Sequence, residues 1–223
     1  MDRKFGLVIF DLDGTLIDNR AAIGENINYA LKANGYKEAG LDAIYRTIGL
    51  PLEECFRAVA KDIDIGTAME LAHAYRARYR ETSHHGVVLL NGVPQVLGRL
   101  RSIGMKLAVA TTKANEDLGP LLDKIGLIRY FDLALGRTEG LRMKPEPDML
   151  NHIMKELDIG PESTAMVGDT YMDVAAGRNA GTFAVGVLSG VRLGIASESE
   201  LRASHPDAVI DSMNELEPLL LGR

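Results

Sequence analysis

The chain alternates between two hydrophobic patterns. Residues 6–10 (GLVIF) are continuously apolar, as in a strand covered on both faces within a parallel sheet. Short runs of the same kind recur downstream at 105–112 (MKLAVATT), 131–135 (FDLAL), 163–169 (STAMVGD), 182–187 (TFAVGV) and 207–210 (DAVI). Between them the apolar positions take helical spacing. Val93, Val96, Leu97 and Leu100 form one stripe, closed by Gly104; Leu118, Leu121, Leu122 and Ile125 form another, with Gly119 and Pro120 weakening its first turn. Leu150, Ile153, Met154 and Leu157 form a third, with Pro147 at its start. Strands alternating with helices predict right-handed crossovers and an α/β fold with a doubly wound, Rossmann-like parallel sheet.

From about Asp18 to Gly86 no strand pattern is found. Ile23, Ile27, Ala30 and Leu31 form one helical stripe, ended by Gly35, and Ala68, Leu71, Ala72, Tyr75 and Tyr79 form another. Two shorter pieces lie between them. The predicted division is a catalytic core made of residues 1–17 and 87–223, with an α-helical cap domain, 18–86, inserted after the first strand. Open α/β sheets bind ligands outside the carboxyl ends of their strands, so such an insertion would act as a lid.

Composition narrows the function more than the fold. The chain has 223 residues, 46% of them hydrophobic and 25% charged, enough apolar material for one or two globular domains. A net charge of −6 argues against a general nucleic-acid or acidic-membrane partner, while a small phosphorylated ligand can still be held by one lysine or a bound cation. Cys55 is the single cysteine, which favours a cytoplasmic location, and acids interrupt the first apolar run too early for a signal peptide. No run approaches the ~20 apolar residues of a membrane span.

The chemistry gathers where strands are predicted to end. The first runs straight into Asp11, Leu12, Asp13, Gly14 and Thr15. In extended chain, residues two apart point the same way, so Asp11 and Asp13 face a common side while Leu12 turns back to the core. Two carboxylates ~4 Å apart repel by ~4 kcal/mol at an effective dielectric near 20, which calls for a cation or a retained proton. Oxygen-only ligands beside a phosphate favour Mg²⁺ over zinc.

The stretch DLDGTLID resembles the first motif of the haloacid dehalogenase (HAD) superfamily of phosphohydrolases. By that resemblance Asp11 is the nucleophile that forms an aspartyl-phosphate, and Asp13 is the general acid/base. The dehalogenating branch lacks an acid at the latter position. LAVATTK is similar to the second motif, with Thr111 binding a phosphoryl oxygen; Thr112 stands where relatives often carry Asn or Ser. RMKPEPD resembles the third motif and implies that Lys144 stabilises the nucleophile and the phosphoryl charge. MVGDTYMD resembles the fourth, implying Asp169 as a direct Mg²⁺ ligand and Asp173 as a supporting one, beside Asp11 and Asp13. Gly14 and Thr112 are assigned to substrate binding. The four motifs occur in the family's order.

The insertion resembles the family's small helical cap, and RTIGLPLEE (46–54) resembles the loop that such caps lower onto substrate, implying contacts from Arg46 and Gly49. The chain as a whole is most similar to the phosphoglycolate phosphatase-like branch, and a small cap implies a small phosphorylated metabolite. The oligomeric state stays open between monomer and homodimer. Three other readings also stay open: a phosphomutase of the same fold, a hydrolase of carbon–phosphorus bonds using a cap lysine (Lys32, Lys37 or Lys61), and a non-catalytic phosphate-binding module. His84 and His85 read as surface hinge residues, Cys55 as a small core residue, and Met149, Met154, Met166 and Met172 as core positions.

Overall fold

The protein is described by a computed structural model covering residues 5–222; residues 1–4 and 223, assigned above to the core, lie outside the described residues. Six strands form one parallel sheet: β1 (Leu7–Phe10), β4 (Lys106–Ala114), β5 (Leu133–Arg137), β6 (Thr164–Gly168), β7 (Phe183–Val187) and β8 (Ala208–Ile210). Their spatial order is β5-β4-β1-β6-β7-β8, the doubly wound order that reverses direction at β1. The remaining strands, β2 (Ile17–Asp18) and β3 (Val88–Leu89), pair antiparallel as a short ribbon where the chain leaves and re-enters the sheet layer.

The continuous apolar runs resolve into two alternating sets. Val8 and Phe10 face one side with Leu107, Val109, Ala165 and Val167; Leu7 and Ile9 face the other with Ala108, Ala110 and Met166. Helices α5 (Val93–Ser102), α6 (Asn115–Lys124) and α11 (Leu216–Leu221) cover the first face, and α7 (Asp148–Leu157) and α8 (Tyr171–Asn179) the second. Two short helices, α9 (Ser189–Arg192) and α10 (Glu198–Ala203), follow β7.

Helices α1 (Arg20–Ala33), α2 (Leu41–Tyr45), α3 (Leu52–Val59) and α4 (Ile65–Thr82) build a separate layer. Its hydrophobic cluster is its own: Ile27, Leu31, Ile44, Phe56, Leu71 and Tyr75 are buried together, joined from the sheet layer by Ile195. Asn26 is buried inside it, its amide donating to the Ala22 carbonyl and the Thr82 hydroxyl. No helix among the described residues is long and apolar enough to cross a membrane.

Candidate active site

The ladder sets the first carboxylate. The Asp11 N–H still donates to the Val167 carbonyl at 2.9 Å, although β1 has ended, so Asp11 sits at the carboxyl edge between β4 and β6. Leu12 then turns into the apolar core. Gly14 reverses the chain at φ +88°, its N–H donating to the Ile17 carbonyl at 2.8 Å. Thr15, fully buried, donates its hydroxyl to Asp169 Oδ1 at 2.6 Å. Gly14 and Gly190 both lie so close to Asp169 that a Cβ on either would collide with Oδ2. Ser189 ties the two glycine segments together by donating its hydroxyl to the Gly14 carbonyl at 2.6 Å.

Lys144 is the hub of the charges. Its buried ammonium donates to Asp11 Oδ1 at 2.5 Å, Asp173 Oδ1 at 2.6 Å and the Ala110 carbonyl at 2.9 Å. The other oxygen of Asp173 accepts from the Thr170 hydroxyl and N–H at the start of α8, a reciprocal capping box. Asp11, Asp169 and Asp173 are all buried, with one oxygen from each within 4.8 Å of the others. Three carboxylates around one ammonium carry two negative charges in excess, each pair at ~4 Å repelling by about 4 kcal/mol.

The titration behaviour follows from this crowding. Burial pushes Asp11 up to about 7, and Lys144 offsets only part of that. Burial, followed by the charges of Asp11 and Asp173, raises Asp169 well above the usual carboxylate range. Burial works to lower the Lys144 ammonium, but Asp11 and Asp173 outweigh it and hold it above its ordinary value. Asp169 Oδ2 is buried with no hydrogen-bond partner. An oxygen-only cluster with excess negative charge and an open carboxylate oxygen fits a divalent metal ion.

Asp13 is not part of that buried carboxylate group, though it lines the same chamber as Asp11. Its Oδ2 pairs with Lys113 Nζ at 3.0 Å. Lys113 also donates to the Tyr79 hydroxyl at 2.8 Å, and the Asn19 amide donates to the same hydroxyl at 2.7 Å. A chain of contacts therefore runs from Asn19 and α4 to the second aspartate.

Two connected chambers open on the carboxylates. A polar one is lined by Asp11, Thr111, Lys144, Thr170, Met172 and Asp173; a larger, mostly apolar one lies beneath the helical layer, and Asp13, Gly49 and Thr112 line both. Thr111 is buried within β4, before the strand ends at Ala114, and its hydroxyl accepts from the Lys113 N–H at 3.4 Å. Arg46 is exposed and lines neither chamber; Arg76 and Arg137 line the apolar one instead. Gly14 also lines neither, and its place is in the turn against Asp169. Met172, expected in the core, is half-buried at the mouth of the polar chamber, because α8 begins there. Lys113, Tyr79, Asn19, Arg76 and Arg137 carry no site role in the motifs. Only the lysine, two residues beyond Thr111, carried a local signal.

An all-parallel sheet reversing at a strand that runs into two aspartates, with a third aspartate after β6, a fourth in the first turn of α8 and a lysine from the loop before α7, defines a class of phosphoryl-handling enzymes. The haloacid dehalogenase-like hydrolase family model matches residues 8–187, and the chain belongs to that family. It is 36% identical over 214 residues to a Dickeya dadantii protein named "Probable phosphatase IndB", with 94% of this chain and 91% of that protein covered. It is 31% identical to a phosphoglycolate phosphatase of Pseudomonas putida, with 95% and 78% covered. The crystal structure of a "predicted phosphatase" from Clostridium acetobutylicum superposes with a TM-score of 0.87 at 26% identity, covering 99% of this chain and 100% of the other. The protein is a phosphatase of the phosphoglycolate phosphatase-like branch.

Proposed function

We propose that the chain is a Mg²⁺-dependent phosphatase of a small phosphorylated metabolite, working through an aspartyl-phosphate on Asp11. The observation that carries this reading is the buried Lys144 ammonium shared between Asp11 and Asp173, beside a third carboxylate with an open oxygen. Asp11, Asp169 and Asp173 would hold the cation, which when bound supplies positive charge against the carboxylates and the incoming phosphoryl oxygens.

The protein's own groups divide the remaining work. An Asp11 oxygen attacks phosphorus as the bond to the ester oxygen breaks, while Lys144 and Thr111 hold phosphoryl oxygens. That Asp13 lines both chambers supports a role for it between the phosphoryl group and the leaving group. It gives its proton to the departing oxygen and then takes one from the water that cleaves the acyl-phosphate. Residues 18–86 serve as the lid, closing the site to polymers such as nucleic acid and to membranes. We take the enzyme to be cytoplasmic and a monomer or homodimer; light scattering checks the oligomeric part.

The test is phosphate release from a panel of small esters with Mg²⁺ and with chelator. Asp11→Asn is expected to lose turnover while keeping the native circular dichroism. Release that survives in Asp11→Asn removes the covalent mechanism. Interconversion of sugar phosphates without free phosphate would identify a mutase instead.

A further inference from the structure

The apolar chamber has more chemistry than hydrolysis of a phosphate requires. Its cavity volume is about 80 Å³, opening into about 650 Å³ of empty space that includes solvent at the mouth. Ile23, Ile27, Ile48 and Leu52 wall it, with Tyr75 and Tyr79 stacked at 5.0 Å and 18°. A leaving group rich in hydroxyls would lose its water here and find few partners, a loss of about tenfold or more for each unpaired group. Aliphatic or aromatic surface gains instead.

Charge is the second observation. Arg76 and Arg137 both line the chamber, and both bind one carboxylate, Glu53, at 2.5 and 3.3 Å. Two guanidiniums on one carboxylate leave one positive charge. Of the other charged lining groups, Lys113 pairs with Asp13 at 3.0 Å, and Asp117 shares Arg80 with Glu116 at 3.5 and 4.0 Å. Arg76 and Arg137 keep 24% and 29% of their side chains exposed, so the uncompensated charge sits where the chamber meets solvent. The Tyr75 hydroxyl, on a residue only 7% exposed, lines it as well, beside the Thr112 hydroxyl and the unpartnered Asp13 Oδ1.

We propose that the substrate is the phosphate monoester of a hydroxy acid with an apolar body, its phosphate in the polar chamber, its chain or ring against the isoleucines and tyrosines, and its carboxylate at the Arg76–Glu53–Arg137 clamp. This rests on the phosphatase reading and adds to it the chemistry of the leaving group. Hydrolysis breaks the phosphorus–oxygen bond of the ester and returns the free hydroxy acid, so the reaction preceding it attaches phosphate to, or builds up, such an acid.

The experiment measures kcat/KM for ω-phosphooxy alkanoates of two to six carbons, beside hexyl phosphate and glucose 6-phosphate. The acids are expected to improve about fourfold per added methylene. The six-carbon acid should exceed hexyl phosphate about tenfold, the size of one charge-assisted hydrogen bond. Arg137→Gln should abolish that acid-to-neutral ratio, and Glu53→Gln, which frees both guanidiniums, should raise it through a lower KM for the acid. A preference for glucose 6-phosphate or the two-carbon acid, with phosphate still released, overturns the proposal and leaves the phosphatase reading standing. Arg137→Gln slowing the acid and neutral esters equally overturns the clamp. Absence of release from any ester sinks the underlying reading as well.

Discussion

At Asp13 a single carboxylate is held by an ion pair. Lys113 binds its Oδ2 at 3.0 Å, its Oδ1 is buried without a partner, and the residue lines both chambers. A proton donor placed there matters most for leaving groups that cannot depart as anions. Asp13→Asn is therefore expected to lower turnover of alkyl phosphates by ~10²–10⁴, and p-nitrophenyl phosphate by much less; equal losses on both would remove the acid role. Cys55 illustrates the opposite kind of residue. Burial pushes its thiol up to about 11, and the Sγ–H donates to the Thr47 carbonyl at 3.2 Å. The folded value lies above the ordinary 9.0, so its contribution to stability is complete below that pH and is lost between about 9 and 11. Iodoacetamide at pH 8 should leave Cys55 unmodified in the native protein and label it in urea. Rapid native labelling would contradict the buried, neutral thiol.

Elements carry the next level of organisation. The strand ends aim Asp11, Thr111 and Asp169 at one point because β4, β1 and β6 are adjacent and parallel. Lys144 arrives from the loop before α7, and Asp173 from the first turn of α8, where its carboxylate caps the helix as well as binding the lysine. The helical layer depends on a different cluster, centred on α1 and α4. Leu71 in α4 is 1% exposed and lines neither chamber. Leu71→Ala should cost ~2–5 kcal/mol, read as a fall in urea midpoint at unchanged slope. A loss below ~1 kcal/mol would mean that the layer repacks freely. Much of this element level was legible in the pattern of the chain: each of the five later runs became a strand of the sheet, and both helical stripes of the insertion are buried faces. The β2–β3 ribbon was not, since two-residue strands have no periodicity to detect.

For the whole molecule the governing fact is the excess of negative charge between sheet and helical layer. The carboxylate of Asp11 is raised to about 7 by burial, so below that pH a proton competes with a cation for it. A metal ion binds the ionised form and releases the proton, and its affinity rises with pH through this range. Mg²⁺ should accordingly raise the melting temperature more at pH 7.5 than at pH 5.5. An equal or reversed shift would show that the carboxylates do not hold the ion. The two layers also meet through cross-links that no local pattern announces: Lys113 to the Tyr79 hydroxyl, Arg137 to Glu53, and Arg20 to the Leu193 carbonyl at 2.6 Å.

The sequence by itself determined the alternation of strand and helix, the doubly wound sheet and the aspartates, threonine and lysine at the strand ends. Each depends on residues close along the chain: a period of two or 3.6, a turn glycine, a motif bounded by a strand. The tertiary structure alone decided which charges neutralise one another. It paired Asp13 with Lys113, gave Asp173 two jobs, left Arg46 in solvent and converged Arg76 and Arg137 on Glu53. Glu53 lies 23 residues from Arg76 and 84 from Arg137, and electrostatic energy depends on distance and burial in space, which no local spacing encodes.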